Sequence, residues 1–421
     1  MDLTSALVAA LPKVALHDHL DGGLRSATVL ELSRELGLPV PGVDAPAPAG
    51  AEPEGEAAPG PAPEPGPDEA AAVADWFHAA ADSGSLPEYL STFEHTVALM
   101  QTAPQLRRIA REFVEDMVAD GVVYAETRWA PHQHTAGGLT LDEAVQAVQD
   151  GLDEGVAAAA EAGRRIVVGQ LLCYLRHLDP TDDLVDIAIA RRGTGVLGLD
   201  LAGPEAGFPA SWFRAQFERA RGHGVRVTIH AGEADGPSSI ADALDCGAER
   251  IGHGVRLLED IDDAASADPS GAAPGPDAPT AGATPDPNAP TRPTSDPVAP
   301  SAHFGPTAER VHREQVCLEV CPSSNLQTGA AADLASHPVG PLHRLGFPVA
   351  LSSDNRLMSR THTSREMLLA AQTFDWGLAD LEQIVLTGLD AGFAPVAQRQ
   401  ALRDEVVLPA FRAVGSADHN A

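Results

Sequence analysis

Four short polar runs hold the residue types that could manage a metal ion and protons. The first reads His17-Asp18-His19-Leu20-Asp21-Gly22 and the second His230-Ala231-Gly232-Glu233. The others are Ile251-Gly252-His253-Gly254 and Ser353-Asp354-Asn355. In extended backbone alternate side chains share a face, so His17 and His19 point the same way and can grip one ion. His17, His19, His230 and Asp354 together make a three-imidazole, one-carboxylate set suited to a single divalent borderline metal. Zinc comes first, and residue types alone do not separate it from iron, manganese or cobalt. An H-x-H pair by itself is weak evidence. A second one, His132 and His134, follows Pro131 in a stretch that reads as irregular loop, and both are expected to be surface histidines.

Such an ion lowers the pKa of a water toward about 7, and a general acid must then protonate the atom that gains charge. Glu233 suits that task if burial raises its pKa, because small Ala231 and Gly232 before it let a substrate approach. His253, set between two glycines, suits orienting the water or accepting its proton. The plainer readings are a helix-start charge for Glu233 and support of a metal ligand for His253.

These residues need elements that bring them together. Eight apolar runs read as strands: 14–19, 122–128, 166–174, 196–201, 225–230, 250–253, 316–321 and 348–353. Helical stretches such as 104–119, 141–162, 211–222 and 240–246 alternate with them. That rhythm predicts an α/β (β/α)₈ TIM-type barrel with additional helices, and the polar runs fall at strand ends where barrel enzymes build sites. An open doubly wound sheet is the alternative, but no phosphate-cradling glycine motif follows the first strand. Ser85-Leu86-Pro87-Glu88 has the form of a capping box, and Leu86, Tyr89, Leu90 and Phe93 follow at one-face helical spacing. The stripe reads as core or as a lid over a ligand.

Nineteen of the 35 prolines lie in residues 41–70 and 261–300, amid small and acidic residues with almost no large apolar side chain. Both stretches are expected to be disordered insertions in one domain spanning residues 1–421. The 60 acidic against 28 basic side chains, a formal charge of -32, exclude a broad cationic face for nucleic acid or anionic lipid. Four cysteines are too few for a disulfide framework. Cys317 and Cys321 sit in an apolar run and are expected to be core thiols, so a reducing cytoplasm is the expected compartment. No basic, apolar leader and no membrane-length apolar run is legible.

In combination and order, Leu11-Pro12-Lys13 before His17-Asp18-His19, then Asp200-Leu201-Ala202-Gly203, His230-Ala231-Gly232-Glu233, Gly252-His253-Gly254, Cys321-Pro322-Ser323-Ser324-Asn325 and Ser353-Asp354-Asn355, the motifs resemble those of the adenosine deaminase family of metal-dependent hydrolases. The resemblance covers the chain apart from the two proline-rich stretches. It implies one zinc ion per chain and conversion of adenosine and 2′-deoxyadenosine to inosine and 2′-deoxyinosine with release of ammonia. It further implies that Glu233 protonates purine N1, that His253 assists attack at C6, and that Asp354 also touches the attacking water. Asp21 would hold a ribose hydroxyl, His19 would border the nucleoside and Gly203 would offer its N–H to the base. Asn355 stands where many members carry aspartate, and its amide can still donate to purine N7. The stripe from Leu86 to Phe93 corresponds to the family's apolar gate. Two other readings are a sister deaminase of adenine, N6-modified AMP or aminodeoxyfutalosine, and an inactive purine-binding protein. A 5′-phosphate would meet repulsion from Asp21.

Overall fold

Strand β1, Lys13–His19, is buried along its whole length, as is β2, Val122–Trp129. A strand with no wet face belongs inside a parallel sheet covered by helices, which is where both lie. In a computed structural model of the chain, describing residues 3–44, 67–262 and 302–418, they open an eight-stranded parallel sheet. It continues with β3 Val167–Leu175, β4 Val196–Ala202, β5 Arg226–Ala231 and β6 Arg250–His253. A small antiparallel pair then intervenes, β7 Ile261–Asp262 with β8 His303–Phe304. Strands β9 Cys317–Val320 and β10 Val349–Leu351 complete the sheet.

The ends of that sheet meet. His19 N donates to Asp354 O at 2.8 Å and Asp354 N to His17 O at 2.9 Å, so the segment after β10 lies against β1 and closes the barrel. The closure also sets the site, because each bond ties a candidate ligand on one edge to its counterpart on the other. Outside run the helices, among them Ala103–Ala119 and Leu141–Glu161, each opened by a capping box at Thr102 and Thr140. The (β/α)₈ expectation holds, with the eight strands in place to within two residues at either end.

Several local expectations need correction. Ser85 precedes the helix Leu86–Ser91 but its side chain makes no cap bond. The helix stops at Thr92 and a second, Phe93–Ala98, begins, so the apolar stripe crosses two short helices rather than one. The proline-rich stretch expected over 41–70 is shorter than that: residues 41–44 form a turn, and Pro67 begins the helix Pro67–Ala81. Residues 261–262 likewise belong to β7. The remainder of both stretches lies outside the described residues. Residues 210–213 form a 3₁₀ turn before the helix Arg214–Gly222, where one continuous helix from 211 was expected.

Candidate active site

The expected donors converge at the carboxyl mouth of the barrel. His19 Nε2 lies 3.2 Å from His230 Nε2, and Asp354 Oδ1 lies 3.4 Å from Nε2 of both His17 and His19. Donors about 2.0–2.1 Å from one ion at tetrahedral angles are separated by roughly 3.3 Å, which these three separations match, and His17, His19 and His230 offer donor atoms all within 4.8 Å of one another. His17 Nε2 is buried without a hydrogen-bond partner, which a ligand atom awaiting an ion explains. Burial drives the His19 imidazole down to about 3 and lowers His230 as well, leaving both neutral and able to donate a lone pair. His17, His253, Cys321 and Asp354 form a second close group. Burial and then the Asp354 charge hold the Cys321 thiol well above its ordinary value, and its Sγ lies 3.7 Å from Glu319 O.

The other nitrogen of each inner imidazole is held by a carboxylate. Glu319 Oε2 is 3.1 Å from His17 Nδ1, and Asp200 Oδ1 is 3.1 Å from His230 Nδ1, which turns both Nε2 atoms to the centre. These carboxylates stay ionised at full burial because Arg128 donates to Asp200 at 2.9 Å and to Glu319 at 2.6 Å. Arg250 adds Nε to Glu319 at 2.5 Å and Nη2 to Glu126 at 2.6 Å, and its guanidinium stacks 3.6 Å over the Phe393 ring. Gly252 has a packing role here, because a Cβ there would meet His17 Cε1 and His230 Cα at 3.1 Å each.

Beside the shell stands the proton machinery. Glu233 is buried; burial first, then the charges of Asp354 and Glu205, raise its carboxyl well above the ordinary value, which favours the protonated form. Thr328 donates to Glu233 Oε1 at 3.0 Å, and His253 Nε2 lies 3.5 Å from Oε2. The Asn325 side-chain amide lies 3.1 Å from His253 Nδ1 and fixes that ring; accepting from Nδ1–H through its oxygen, which has no other partner, it leaves Nε2 free to act as a base. Burial and then the neighbouring His17 push His253 well below its usual value. Both His253 and Asp354 have left-handed backbone, at φ 63° and 61°. Such conformations cost about 1–3 kcal/mol each in residues other than glycine, and they collect at working sites.

The remaining expected residues line the same hollow. A narrow inner part of about 30 Å³ is bounded by His19, His230, Glu233, His253, Asp354 and Asn355, with Gly203 on one side and Leu86, Tyr89, Leu90 and Phe93 above. An outer part of about 490 Å³ continues past Asp21, Gln133 and His177. His132 is half-buried, 3.2 Å from Asp183, as a surface histidine would be. His134 is a correction: it is fully buried, with Nδ1 3.0 Å from Met100 O and Nε2 3.6 Å from Asp21 Oδ2. The 3₁₀ turn Pro131–His134 swings it inward against Trp129, and polar spacing alone carries no sign of that turn. The charged partners Glu319, Arg128, Arg250 and Glu205 were also missed. A charged residue inside an apolar strand run was the available signal for the first three.

A closed parallel barrel whose carboxyl mouth gathers three imidazoles, a carboxylate and a buried carboxyl with raised pKa defines a barrel hydrolase. The family model for adenosine deaminase matches residues 65–409. The chain belongs to the adenosine deaminase family. An adenosine deaminase of Mycobacteroides abscessus is 42% identical over 413 residues, 98% of each chain. Adenosine deaminase 1 of Streptomyces coelicolor is 40% identical, covering 95% of this chain and 87% of its own. Among solved structures, an amidohydrolase from Burkhoderia ambifaria with bound Zn shares the fold, at TM-score 0.73 and 22% identity over 100% of this chain and 97% of that one.

Proposed function

We propose that the chain hydrolyses adenosine and 2′-deoxyadenosine to inosine and 2′-deoxyinosine, using one zinc ion held by His17, His19, His230 and Asp354. The observation that carries this reading is the convergence of those donors, 3.2–3.4 Å apart from His19 to His230 and from Asp354 to His17 and His19, beside Glu233 with its raised carboxyl. When bound, zinc acts as a Lewis acid that brings the acidity of a water molecule toward neutrality.

The chain's own residues do the rest. Glu233 gives its proton to purine N1, which withdraws electrons from C6 and opens that carbon to attack. His253 orients the incoming water and takes its proton as the oxygen–carbon bond forms, and Asp354 accepts a hydrogen bond from the same water. His253 returns that proton to the amine, the C6–N6 bond breaks to release ammonia, and the C6 hydroxyl gives its remaining proton to the Glu233 carboxylate as the carbonyl forms. Water and nucleoside in, inosine and ammonia out, balance without any further reactant. Gly203 N–H and the Asn355 amide meet the base, while His19 and Asp21 meet the ribose in the wider outer hollow. The inner hollow holds a water or two, not a purine, so Leu86, Tyr89, Leu90 and Phe93 act as a lid that shifts to admit the base. All four cysteines are free and buried, and no helix among the described residues is long and apolar enough to cross a membrane, in keeping with a cytoplasmic site of action.

The test is to offer zinc-loaded protein adenosine, deoxyadenosine, adenine, AMP and an aminofutalosine, and to follow the ultraviolet change at C6. The first two should turn over fastest. Brisk conversion of another member with none of adenosine would reassign the substrate and leave the chemistry standing; no conversion of any would end the hydrolytic reading.

A further inference from the structure

The turn after β5 carries the general acid, and its backbone is held by one side chain from a different loop. Glu205 follows β4 and is buried. Its Oε1 accepts from Gly232 N at 2.6 Å and from Ser239 Oγ at 2.6 Å. Its Oε2 accepts from Glu233 N at 3.0 Å, Ala234 N at 2.6 Å and Asp235 N at 3.0 Å. Four consecutive backbone N–H groups thus wrap one carboxylate, a concave nest whose partial positive charges suit an anion. Gly232, at φ 71°, makes the bend that starts it, and a Cβ there would strike Ile240 Cδ1 at 2.5 Å.

The carbonyls of the turn are anchored separately. Arg256 N donates to Gly232 O at 2.9 Å, and Arg256 Nη1 donates to Ala234 O at 3.0 Å. Every N–H from Gly232 to Asp235 has Glu205 as its partner, and without it four donors would be left unpaired in a partly or wholly buried turn. Among the described residues the carboxylate's hydrogen bonds go to this turn and to Ser239, none to His17, His19, His230 or Asp354. Its charge helps raise the Glu233 carboxyl, and its hydrogen bonds reach the chemistry through the backbone of Glu233.

We infer that Glu205 is a positioning residue for the deamination, an internal anion that fixes the turn so that the Glu233 carboxyl is aimed at the substrate nitrogen it protonates. The inference rests on the reading of Glu233 as acid given above. A hollow of about 290 Å³ lined by Glu205, Phe208, Asp235 and Ser239 lies on the outer side of the nest, so a small carboxylate from solvent has a way in.

The experiment uses zinc-loaded full-length protein in four forms: unaltered, Glu205→Ala, Glu233→Gln and the double variant. Glu205→Ala should lower kcat for adenosine by roughly 10²-fold with KM and zinc content little changed, since misplacement by about 1 Å costs that much. Formate should restore much of kcat in a saturable way by occupying the vacated nest. In the Glu233→Gln background the same change should cost less than about threefold and show no formate rescue, because the aimed group is already gone. Equal fold-losses in both backgrounds, or absence of rescue, would overturn the inference in favour of a purely structural carboxylate. If Glu205→Ala does not yield folded protein, Glu205→Gln replaces it; its amide NH₂ faces the same N–H groups, and equal losses in the two backgrounds again overturn the inference. Failure of the functional reading itself appears in the unaltered protein, as lack of turnover, and is thereby kept apart.

Discussion

Glu233 shows how one side chain can help catalysis and weaken the fold. Burial and the nearby Asp354 and Glu205 charges raise its carboxyl, so the folded chain binds that proton more tightly than the unfolded chain does. Between the ordinary carboxylate range and the raised folded value the native state carries the extra proton, and stability therefore falls as pH rises through that window. Glu233→Gln keeps the size and removes the titration. The variant should retain its zinc, lose at least about 10²-fold in kcat, and melt higher than the unaltered chain by a margin that widens with pH. Metal analysis and melting curves from pH 5 to 9 check this; loss of metal would make Glu233 a ligand, and a constant margin would mean that its carboxyl is not strained. In the unaltered enzyme kcat should fall on the alkaline side as Glu233 ionises. His230→Ala should instead reduce metal content and activity together, since three remaining donors leave the shell open.

At the scale of elements, the strands do more than present ligands. Glu319 on β9 joins Arg128 of β2, Arg250 of β6, Thr228 of β5 and His17 of β1 across the barrel interior. Burial opposes its ionisation, but the charges of Arg128 and Arg250 and the bond to His17 outweigh that and hold it well below the carboxylate range. Glu319→Gln leaves two buried guanidinium groups short of a counter-charge, a change that costs about 3–5 kcal/mol when one partner of a buried pair is removed. The expected result is a lowered denaturation midpoint and weaker zinc retention on dialysis; unchanged values for both would show that the network is redundant. The strands were legible because fully buried parallel strands write themselves as apolar runs, and their polar ends followed from the barrel's geometry. The Glu319 partnership was not, because Glu319 and Arg250 are 69 residues apart and periodicity says nothing of which strands become neighbours. The nest around Glu205 and the inward turn of His134 were illegible for a related reason: both depend on loop conformations fixed only when the barrel closes. The lid stripe was visible as spacing, yet the break at Thr92 was not, since its hydroxyl bonds back to Tyr89 O at 2.7 Å, a local competition with helix that spacing ignores.

For the molecule as a whole, the proline-rich stretch after β6 raises the question of how a catalytic barrel carries a long excursion near its mouth. The described ends answer it. Ile261 pairs with Phe304 and Asp262 with His303, so the chain leaves and re-enters across a single antiparallel pair. Asp260 secures the re-entry point: its carbonyl accepts from Gly305 N at 2.7 Å, and its carboxylate accepts from Thr307 N at 2.8 Å and Ala308 N at 2.9 Å. These bonds cap the helix Pro306–Glu314 and keep β9 in register whatever joins 262 to 303. Deleting 265–298 leaves six residues between the paired ends, enough for a hairpin connection. Closing the shorter loop costs less entropy, by about 1–2 kcal/mol on a logarithmic scale. The deletion should therefore leave kcat and KM for adenosine within about twofold and keep the melting temperature the same or raise it by a few degrees. A fall in melting temperature would show that the excised stretch packs on the barrel, and a fall in kcat with melting unchanged would place it at the mouth as part of the working enzyme.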